Sequence, residues 1–289
     1  MTANLYALAA IALWASLSAL GVSLKHIPPF LLTGIALMVG SVLAWPFVIR
    51  DRRQWQVAPR MLALGVLTLF GFHFMLFIAL RMAPAVEVNL VNYLWPLFIV
   101  VLAPLYLPGV ALRTVHIAAA ITGFVGAAIA ILGARGGTVA AVVSTSTSPV
   151  LGYLLALFSA LIWANYSLQT KRAEVNGKSF PTAAIGLFGL VSGVLSLACH
   201  FALEPSVNLN PRDWLLLTVM GLGPLGAAFF LWDKALKLGD TRQIGILSYL
   251  TPLTSTVLLM TVTGRALTWS IALAAAMIIG AAVVGTQRG

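Results

Sequence analysis

Uninterrupted apolar runs of about twenty residues recur along the whole chain, and this feature limits the possible fold more than any other. Crossing the hydrocarbon core of a bilayer takes about 20 apolar residues per helix. Only 8% of the 289 residues are charged, whereas an ordinary soluble domain carries roughly 25%. Seven acidic and seventeen Lys or Arg side chains cannot cover the surface of a soluble protein of this size. The sequence therefore predicts an all-α integral membrane protein.

Ten of these runs have the length of a transmembrane helix. We place the spans at 4–24, 29–49, 60–80, 84–105, 112–133, 150–170, 181–203, 213–236, 240–262 and 266–286. The first run lacks a basic leader and a clear cleavage site, so we expect it to remain as the first span. The connections are short and leave no room for a soluble catalytic domain. The longest is rich in Gly, Ser and Thr and predicts a linker at 136–149.

The chain repeats a pattern in its two halves. Tyr93-Leu94-Trp95-Pro96 returns as Tyr249-Leu250-Thr251-Pro252, 156 positions later. Ala-Leu followed by a basic residue precedes both at the same offset. Leu-Trp-Ala-Ser around Trp14 is similar to the segment around Trp163. These matches predict two repeats of five helices, over residues 1–135 and 150–289.

The basic residues predict the orientation. One side of the membrane receives twelve Lys and Arg: Arg50, Arg52, Arg53, Arg60, Arg113, Lys171, Arg172, Lys178, Lys234, Lys237, Arg242 and Arg288. The other side receives five: Lys25, Arg81, Arg135, Arg212 and Arg265. The positive-inside rule then places both termini in the cytoplasm. Because five is odd, the second repeat enters with opposite orientation, an arrangement typical of secondary transporters with a midplane site.

The repeated prolines point to that site. Pro96 and Pro252 each remove a backbone donor, so we expect each to bend its helix and to act as a compliant point during gating. In lipid, freed backbone groups are tolerated where they face protein or a water-filled cavity. The fourth and ninth helices are therefore predicted to flank a central cavity.

Polar side chains on the fourth helix are candidates for binding a substrate. Asn89, Asn92, Tyr93 and Pro96 share one face at i, i+3, i+4, i+7 spacing. Amides and a phenol both donate and accept hydrogen bonds, and they suit a zwitterionic amino acid. The alternative is that they only bond neighbouring helices. Tyr249, the repeat counterpart of Tyr93, is a further candidate.

Aromatic side chains divide into two groups. Trp14, Trp95 and Trp163 lie well inside their spans, and we predict that they line the cavity wall; helix packing is the alternative. The other tryptophans lie near predicted span ends and read as an interfacial belt; they are Trp45, Trp55, Trp214, Trp232 and Trp269.

Ionisable residues inside spans are few. His73 is predicted to contact a substrate carboxylate or to carry a proton, with a bond to a neighbouring helix as the alternative. Asp233 lies near the end of a predicted span, where we expect either solvation at the surface or an ion pair in the loop. No carboxylate lies clearly at a span centre, which weakens carboxylate-based proton coupling. We find no metalloprotease motif and no Ser/His/Asp set within the spans, so we expect no enzyme, cofactor, metal or nucleic-acid partner.

The ten spans, the five-plus-five repeat and the segments around Trp14 and Ala79–Pro96 resemble the EamA-type family of the drug/metabolite transporter superfamily over essentially the whole chain. Asn89–Pro96 with His73 ahead of it is similar to aromatic amino-acid exporters of the YddG type. The resemblance implies export of aromatic and other neutral amino acids across a bacterial inner membrane, without nucleotide hydrolysis. The alternative is a multidrug or metabolite exporter acting on organic cations, which an aromatic wall would also attract. Lipid is an expected partner, and no oligomer is required.

Overall fold

The computed structural model describes residues 2–133, 149–262 and 268–286, and every regular element in these ranges is a helix. The helices group into ten membrane-crossing units, which we number α1 to α10. Their bounds are α1 Thr2–Ser23, α2 Pro29–Arg50, α3 Pro59–Met82, α4 Ala85–Asn92 with Trp95–Tyr106, α5 Thr114–Gly133, α6 Pro149–Val175, α7 Ala184–Leu203, α8 Pro211–Leu238, α9 Thr241–Leu247 with Leu250–Val262, and α10 Trp269–Thr286.

The predicted spans agree with these units, and the all-α class with ten transmembrane helices is confirmed. In the part of the chain that the structure describes, eight helices are by themselves long and apolar enough to cross a membrane. α9 is broken into two shorter helices, and α10 has a shorter apolar stretch, Trp269–Val284. The largest difference is in α6, which continues to Val175 instead of ending at 170. The predicted linker lies outside the described residues except for Pro149, which begins α6.

Helix contacts follow the repeat. The first helix of each repeat packs on the third helix of the other repeat: α1 on α8, and α6 on α3. Equivalent helices also pack against each other in pairs, α2 on α7, α5 on α10, and α4 on α9. This exchange of partners is what a two-fold axis between the halves produces. The fold is thus a pair of five-helix repeats of inverted topology.

Glycines allow the closest helix approaches. A Cβ on Gly65 of α3 would clash with the Phe188 ring of α7. A Cβ on Gly40 of α2 would lie 2.7 Å from the carbonyl oxygen of Gly221 in α8. Interfaces between membrane helices favour small residues because packing has to replace the hydrophobic effect. The glycine-rich stretches of α7 and α8 serve this close packing.

Large apolar side chains cover the outside of the molecule. Ile49, Leu105, Phe201 and Trp269 are each at least 76% exposed. Apolar exposure on this scale is unfavourable in water but matches lipid. Trp45 and Trp214 are also exposed, at 47% and 51%, in agreement with their predicted place in an interfacial belt.

Candidate functional site

A π-helical segment interrupts the third helix of each repeat at the same place. The segments are Leu67–Gly71 in α3 and Gly223–Ala227 in α8, which are separated by the 156 positions of the repeat. Such segments are rare and occur often at functional sites. Aromatic side chains bond to carbonyls in both: the Trp14 indole N–H donates to Pro224 (3.1 Å), and His73 Nδ1 lies 2.6 Å from the Leu69 oxygen. Both segments therefore help to orient the predicted site residues.

α4 and α9 are broken at equivalent positions. In α4 the helix stops at Asn92 and resumes at Trp95, and in α9 it stops at Leu247 and resumes at Leu250. Each break comes just before a repeated proline, which falls in the first turn of the resumed helix. A proline is accepted there because that turn has no intrahelical use for its N–H. The distortion predicted at Pro96 and Pro252 is present, shifted a few residues toward the N-terminus.

A cavity of about 500 Å³ lies between α1, α2, α3, α4, α6, α8 and α9. It extends from a layer of tryptophans to the α1–α2 connection, where Lys25 and Ile27 contribute to its wall. The side chains that line it are mainly apolar and aromatic, with a few amides and hydroxyls. This combination is usual for sites that bind small molecules.

Seven of the eight predicted binding residues line this cavity: Trp14, His73, Asn89, Asn92, Tyr93, Trp95 and Trp163. Tyr249 does not. Its side chain is fully buried and packs against α5, where a Cβ on Gly123 would lie 2.5 Å from the tyrosine ring. The break in α9 turns Tyr249 toward α5, whereas the corresponding break in α4 leaves Tyr93 at the cavity.

Four tryptophans form one layer that closes an end of the cavity. The ring centroid of Trp232 lies 5.2 Å from that of Trp14, 5.6 Å from that of Trp95 and 6.3 Å from that of Trp163. Trp232 is fully buried and its indole N–H donates to the Ser167 hydroxyl at 3.3 Å. The prediction that Trp232 belongs to the interfacial belt is therefore wrong. Its position near a predicted span end was misleading because α8 continues to Leu238.

Three buried polar atoms at the cavity have no hydrogen-bond partner among the described residues. They are the indole nitrogen of Trp163 and the hydroxyl oxygens of Thr33 and Thr251. Buried polar groups are usually paired, so each of these atoms retains unused hydrogen-bonding capacity beside the cavity. Neither threonine stands out in the sequence as a polar group on a patterned face. Thr251 does stand at the repeat position of Trp95.

Two other polar side chains are already oriented by the protein. The Ser159 hydroxyl donates to Asn92 Oδ1 at 2.8 Å, which leaves the amide N–H groups of Asn92 to other partners. The Leu69 carbonyl can only accept a hydrogen bond, so His73 Nδ1 carries a proton and donates to it. The other ring nitrogen, Nε2, takes no part in this contact. Both arrangements fix side-chain direction before any substrate binds.

The cavity contains no acidic side chain among its lining residues; Lys25, His73 and Tyr93 are its titratable groups. The acid nearest the tryptophan layer in sequence is Asp233, which follows Trp232. The structure corrects its assignment to the surface, because its carboxylate is fully buried. Its Oδ2 accepts hydrogen bonds from Lys237 and Thr182, both at 2.7 Å. Lys237 also donates to the Phe180 carbonyl, so this cluster joins α8 to the α6–α7 connection behind the tryptophans.

An inverted repeat of ten membrane helices around a central aromatic cavity defines an integral membrane carrier. Residues 1–132 and 150–286 match the EamA-like transporter family, so the chain belongs to that family. It is 38% identical to a protein of Ancylobacter novellus named aromatic amino acid exporter YddG, over 99% of this chain and 97% of that one. A protein of the same name from Escherichia coli is 27% identical over 99% of this chain and 98% of its own length. A crystal structure 35% identical in sequence superposes with a TM-score of 0.88 and covers 99% of this chain and 98% of that chain.

Proposed function

We propose that this protein exports aromatic and other neutral amino acids across the inner membrane by alternating access around the central cavity. The observation that carries the proposal is the cavity itself, in which an aromatic wall lies beside unpaired polar atoms. Aromatic rings bind an aromatic side chain by stacking and by exclusion of water. The amide and hydroxyl groups of Asn89, Asn92, Thr33 and Thr251 suit the charged ends of a zwitterion.

The charge of the cavity favours an amino acid over an organic cation. Lys25 contributes a positive charge to the lining, and no carboxylate there supplies a counter-charge for a cation. A carboxylate, by contrast, finds N–H donors at Trp163 and Asn92. The names of the relatives, aromatic amino acid exporter, agree with this choice.

The orientation follows from the distribution of Lys and Arg. With both termini in the cytoplasm, the α1–α2 connection faces the opposite side. The cavity reaches that connection, which supports our assignment of this arrangement to an outward-open state. The four-tryptophan layer and the cluster of Asp233, Lys237 and Thr182 then form its cytoplasmic closure, and Pro96 and Pro252 are the proposed compliant points.

The proposed binding residues are the seven that line the cavity, and Tyr249 is not among them. We assign His73 to contact with the substrate carboxylate or to proton transfer. Transport involves no covalent step, so exported amino acid is expected to be recovered chemically unchanged, and a single protein chain suffices for it.

Proteoliposomes provide the test. Vesicles containing the purified protein and preloaded with phenylalanine or tryptophan are expected to show saturable export, selective for aromatic over acidic amino acids. Competition by organic cations in place of amino acids would support the multidrug alternative, and linear flux without saturation would indicate a channel. Absence of phenylalanine and tryptophan transport by folded protein would overturn the substrate assignment.

A further inference from the structure

A second cavity, of about 450 Å³, lies where α3 begins and α6 ends. It is separate from the central cavity and shares no lining residue with it. Its walls are formed by Arg60, Met61, Leu64, Gln169, Arg172, Ala173, Asn176 and Lys178. In the proposed orientation, both helix ends lie at the cytoplasmic face of the membrane.

The wall on α6 consists of one helical face. Gln169, Arg172, Ala173 and Asn176 are spaced i, i+3, i+4, i+7 and therefore point the same way. The extension of α6 beyond the predicted span is what brings Arg172 and Asn176 into position. Without these last turns the pocket would have no second wall.

A Schellman motif then folds the chain back over the pocket. Gly177 has a φ of +66°, which suits a residue without a side chain. Its N–H donates to the Glu174 carbonyl (3.0 Å), and the next N–H, that of Lys178, donates to the Ala173 carbonyl (2.8 Å). These are the two hydrogen bonds of the motif. They return Lys178 to the same helix face, so that its ammonium joins the lining.

The lining carries three cationic groups, Arg60, Arg172 and Lys178, and no acidic side chain. Two carboxamides, Gln169 and Asn176, add neutral donors. Guanidinium groups form paired hydrogen bonds with phosphate oxygens, and an ammonium adds a point charge. Below these groups Met61, Leu64 and Ala173 provide an apolar floor. A ligand that fits has a phosphate next to apolar atoms.

We propose that this pocket binds the phosphate-bearing headgroup of an anionic lipid from the cytoplasmic leaflet. Basic pockets between membrane helices on the cytoplasmic side are suited to such headgroups. The pocket has a volume of about 450 Å³. A water occupies ~30 Å³ in the liquid, so the pocket is much larger than one free phosphate requires. The leaflet assignment rests on the proposed orientation, whereas headgroup binding itself does not depend on amino-acid export.

The test compares phosphatidylglycerol with phosphatidylcholine on the purified full chain in detergent, by native mass spectrometry and by thermal melting. We expect several-fold greater retention of phosphatidylglycerol and a melting temperature that rises with it. The variant R60Q/R172Q/K178Q should lose this preference. The variant R50Q/R52Q/R53Q removes the same charge from the end of α2 and the α2–α3 connection, where all three side chains are exposed. This variant should keep the preference.

Several results would overturn the proposal. Equal loss in both triple variants would mean that total charge, and not this pocket, attracts the lipid. An equal rise in melting temperature with inorganic phosphate alone would assign the pocket to a free anion. If R60Q/R172Q/K178Q does not fold, the single substitutions Lys178→Gln, at an exposed residue, and Arg60→Gln replace it. Unchanged retention of phosphatidylglycerol in both single variants would refute headgroup binding. Amino-acid export from proteoliposomes is measured separately, so failure of the export proposal can be distinguished from failure of headgroup binding.

Discussion

At the scale of single residues, the indole N–H of Trp163 distinguishes a binding role for this residue from a role in packing alone. The ring contacts Trp14, Trp95 and Trp232, yet its nitrogen has no partner among the described residues. A hydrogen bond to a charged group is worth about 1.5–3 kcal/mol. If this donor binds the substrate carboxylate, its removal has to weaken binding by about tenfold or more, since 1.4 kcal/mol corresponds to one decade.

Trp163→Phe keeps an aromatic ring and removes the N–H donor, together with the five-membered ring of the indole. We expect the apparent KM for phenylalanine export to rise about tenfold or more with the fold retained, measured as initial rates from proteoliposomes. Trp214→Phe is the matched control, because that indole lies on the exposed outer surface. An unchanged KM in Trp163→Phe would assign Trp163 to packing alone.

The sequence identified seven cavity-lining residues because of where polar and aromatic groups stand in otherwise apolar runs. Asn89, Asn92 and Trp95 are conspicuous in the middle of a span, and lipid exposure would be unfavourable for them. Thr33 and Thr251 were missed because a single hydroxyl in a helix can bond its own backbone and gives no sign of its direction. Only the packed structure shows that these two hydroxyls have no such partner.

At the scale of helices, the breaks in α4 and α9 separate each helix into two rigid parts. In α4, Tyr93 and Leu94 form a turn, in which the Leu94 N–H donates to the Val91 carbonyl. Pro96 cannot donate to the Asn92 carbonyl, so a continuous helix is disfavoured there. The sequence predicts this distortion from the two repeated prolines. The equivalent break in α9 shows that it is present in both halves.

Pro96→Ala and Pro252→Ala restore the missing N–H and favour continuous helices. We expect a lower export rate with little change in substrate affinity, because the binding side chains remain while the bend becomes stiffer. Stopped-flow transport gives the rate, and quenching of tryptophan fluorescence on substrate addition gives the affinity. Pro104→Ala, in the same helix but beyond the break, is the control. A normal rate in both repeat-proline variants would show that the bends do not move.

The buried Asp233–Lys237 pair is an element-scale contact that joins α8 to the α6–α7 connection. Removal of one partner leaves an uncompensated buried charge, which costs about 3–5 kcal/mol. We therefore expect Asp233→Asn and Lys237→Met each to lower the melting temperature of the purified protein strongly. Asp51→Asn, at an exposed site in a loop, should leave it near the wild-type value.

A double variant tests whether the two effects are coupled. Asp233→Asn with Lys237→Met removes both charges, and we expect it to be more stable than either single variant because no isolated buried charge remains. Additive losses would mean that the two side chains act independently, and that the short contact between them does not stabilise the closure.

At the scale of the whole molecule, the number, order and approximate bounds of the helices were predictable, because each span has to be long and apolar whatever its neighbours are. The inverted repeat was predictable from the Tyr-Leu-x-Pro match and the odd number of helices. The depth of a side chain was not. Trp232 and Asp233 lie near a predicted span end, and only the packing of α8 against α1 and α6 shows them to be buried.

Orientation and the open side of the cavity are properties of the whole molecule, and single cysteines test them together. In a Cys199→Ala background, Gly21→Cys lies at the cavity with no heavy atom within 4 Å of the added Cβ, so the substitution should be tolerated. Asn176→Cys lies exposed at the end of α6, at the proposed cytoplasmic face.

In spheroplasts treated with a membrane-impermeant maleimide, we expect the cysteine at 21 to react and tryptophan to protect it. The cysteine at 176 should react only after permeabilisation. The reverse pattern would invert the orientation derived from Lys and Arg. Reaction at both positions in sealed spheroplasts would mean leaky membranes, which a cytoplasmic marker enzyme detects. Gly21 lines the same cavity as Trp14 and Trp163, so a substrate held against these tryptophans has to restrict access to position 21. Labelling at 21 without protection by tryptophan would therefore show that the cavity is not on the substrate path.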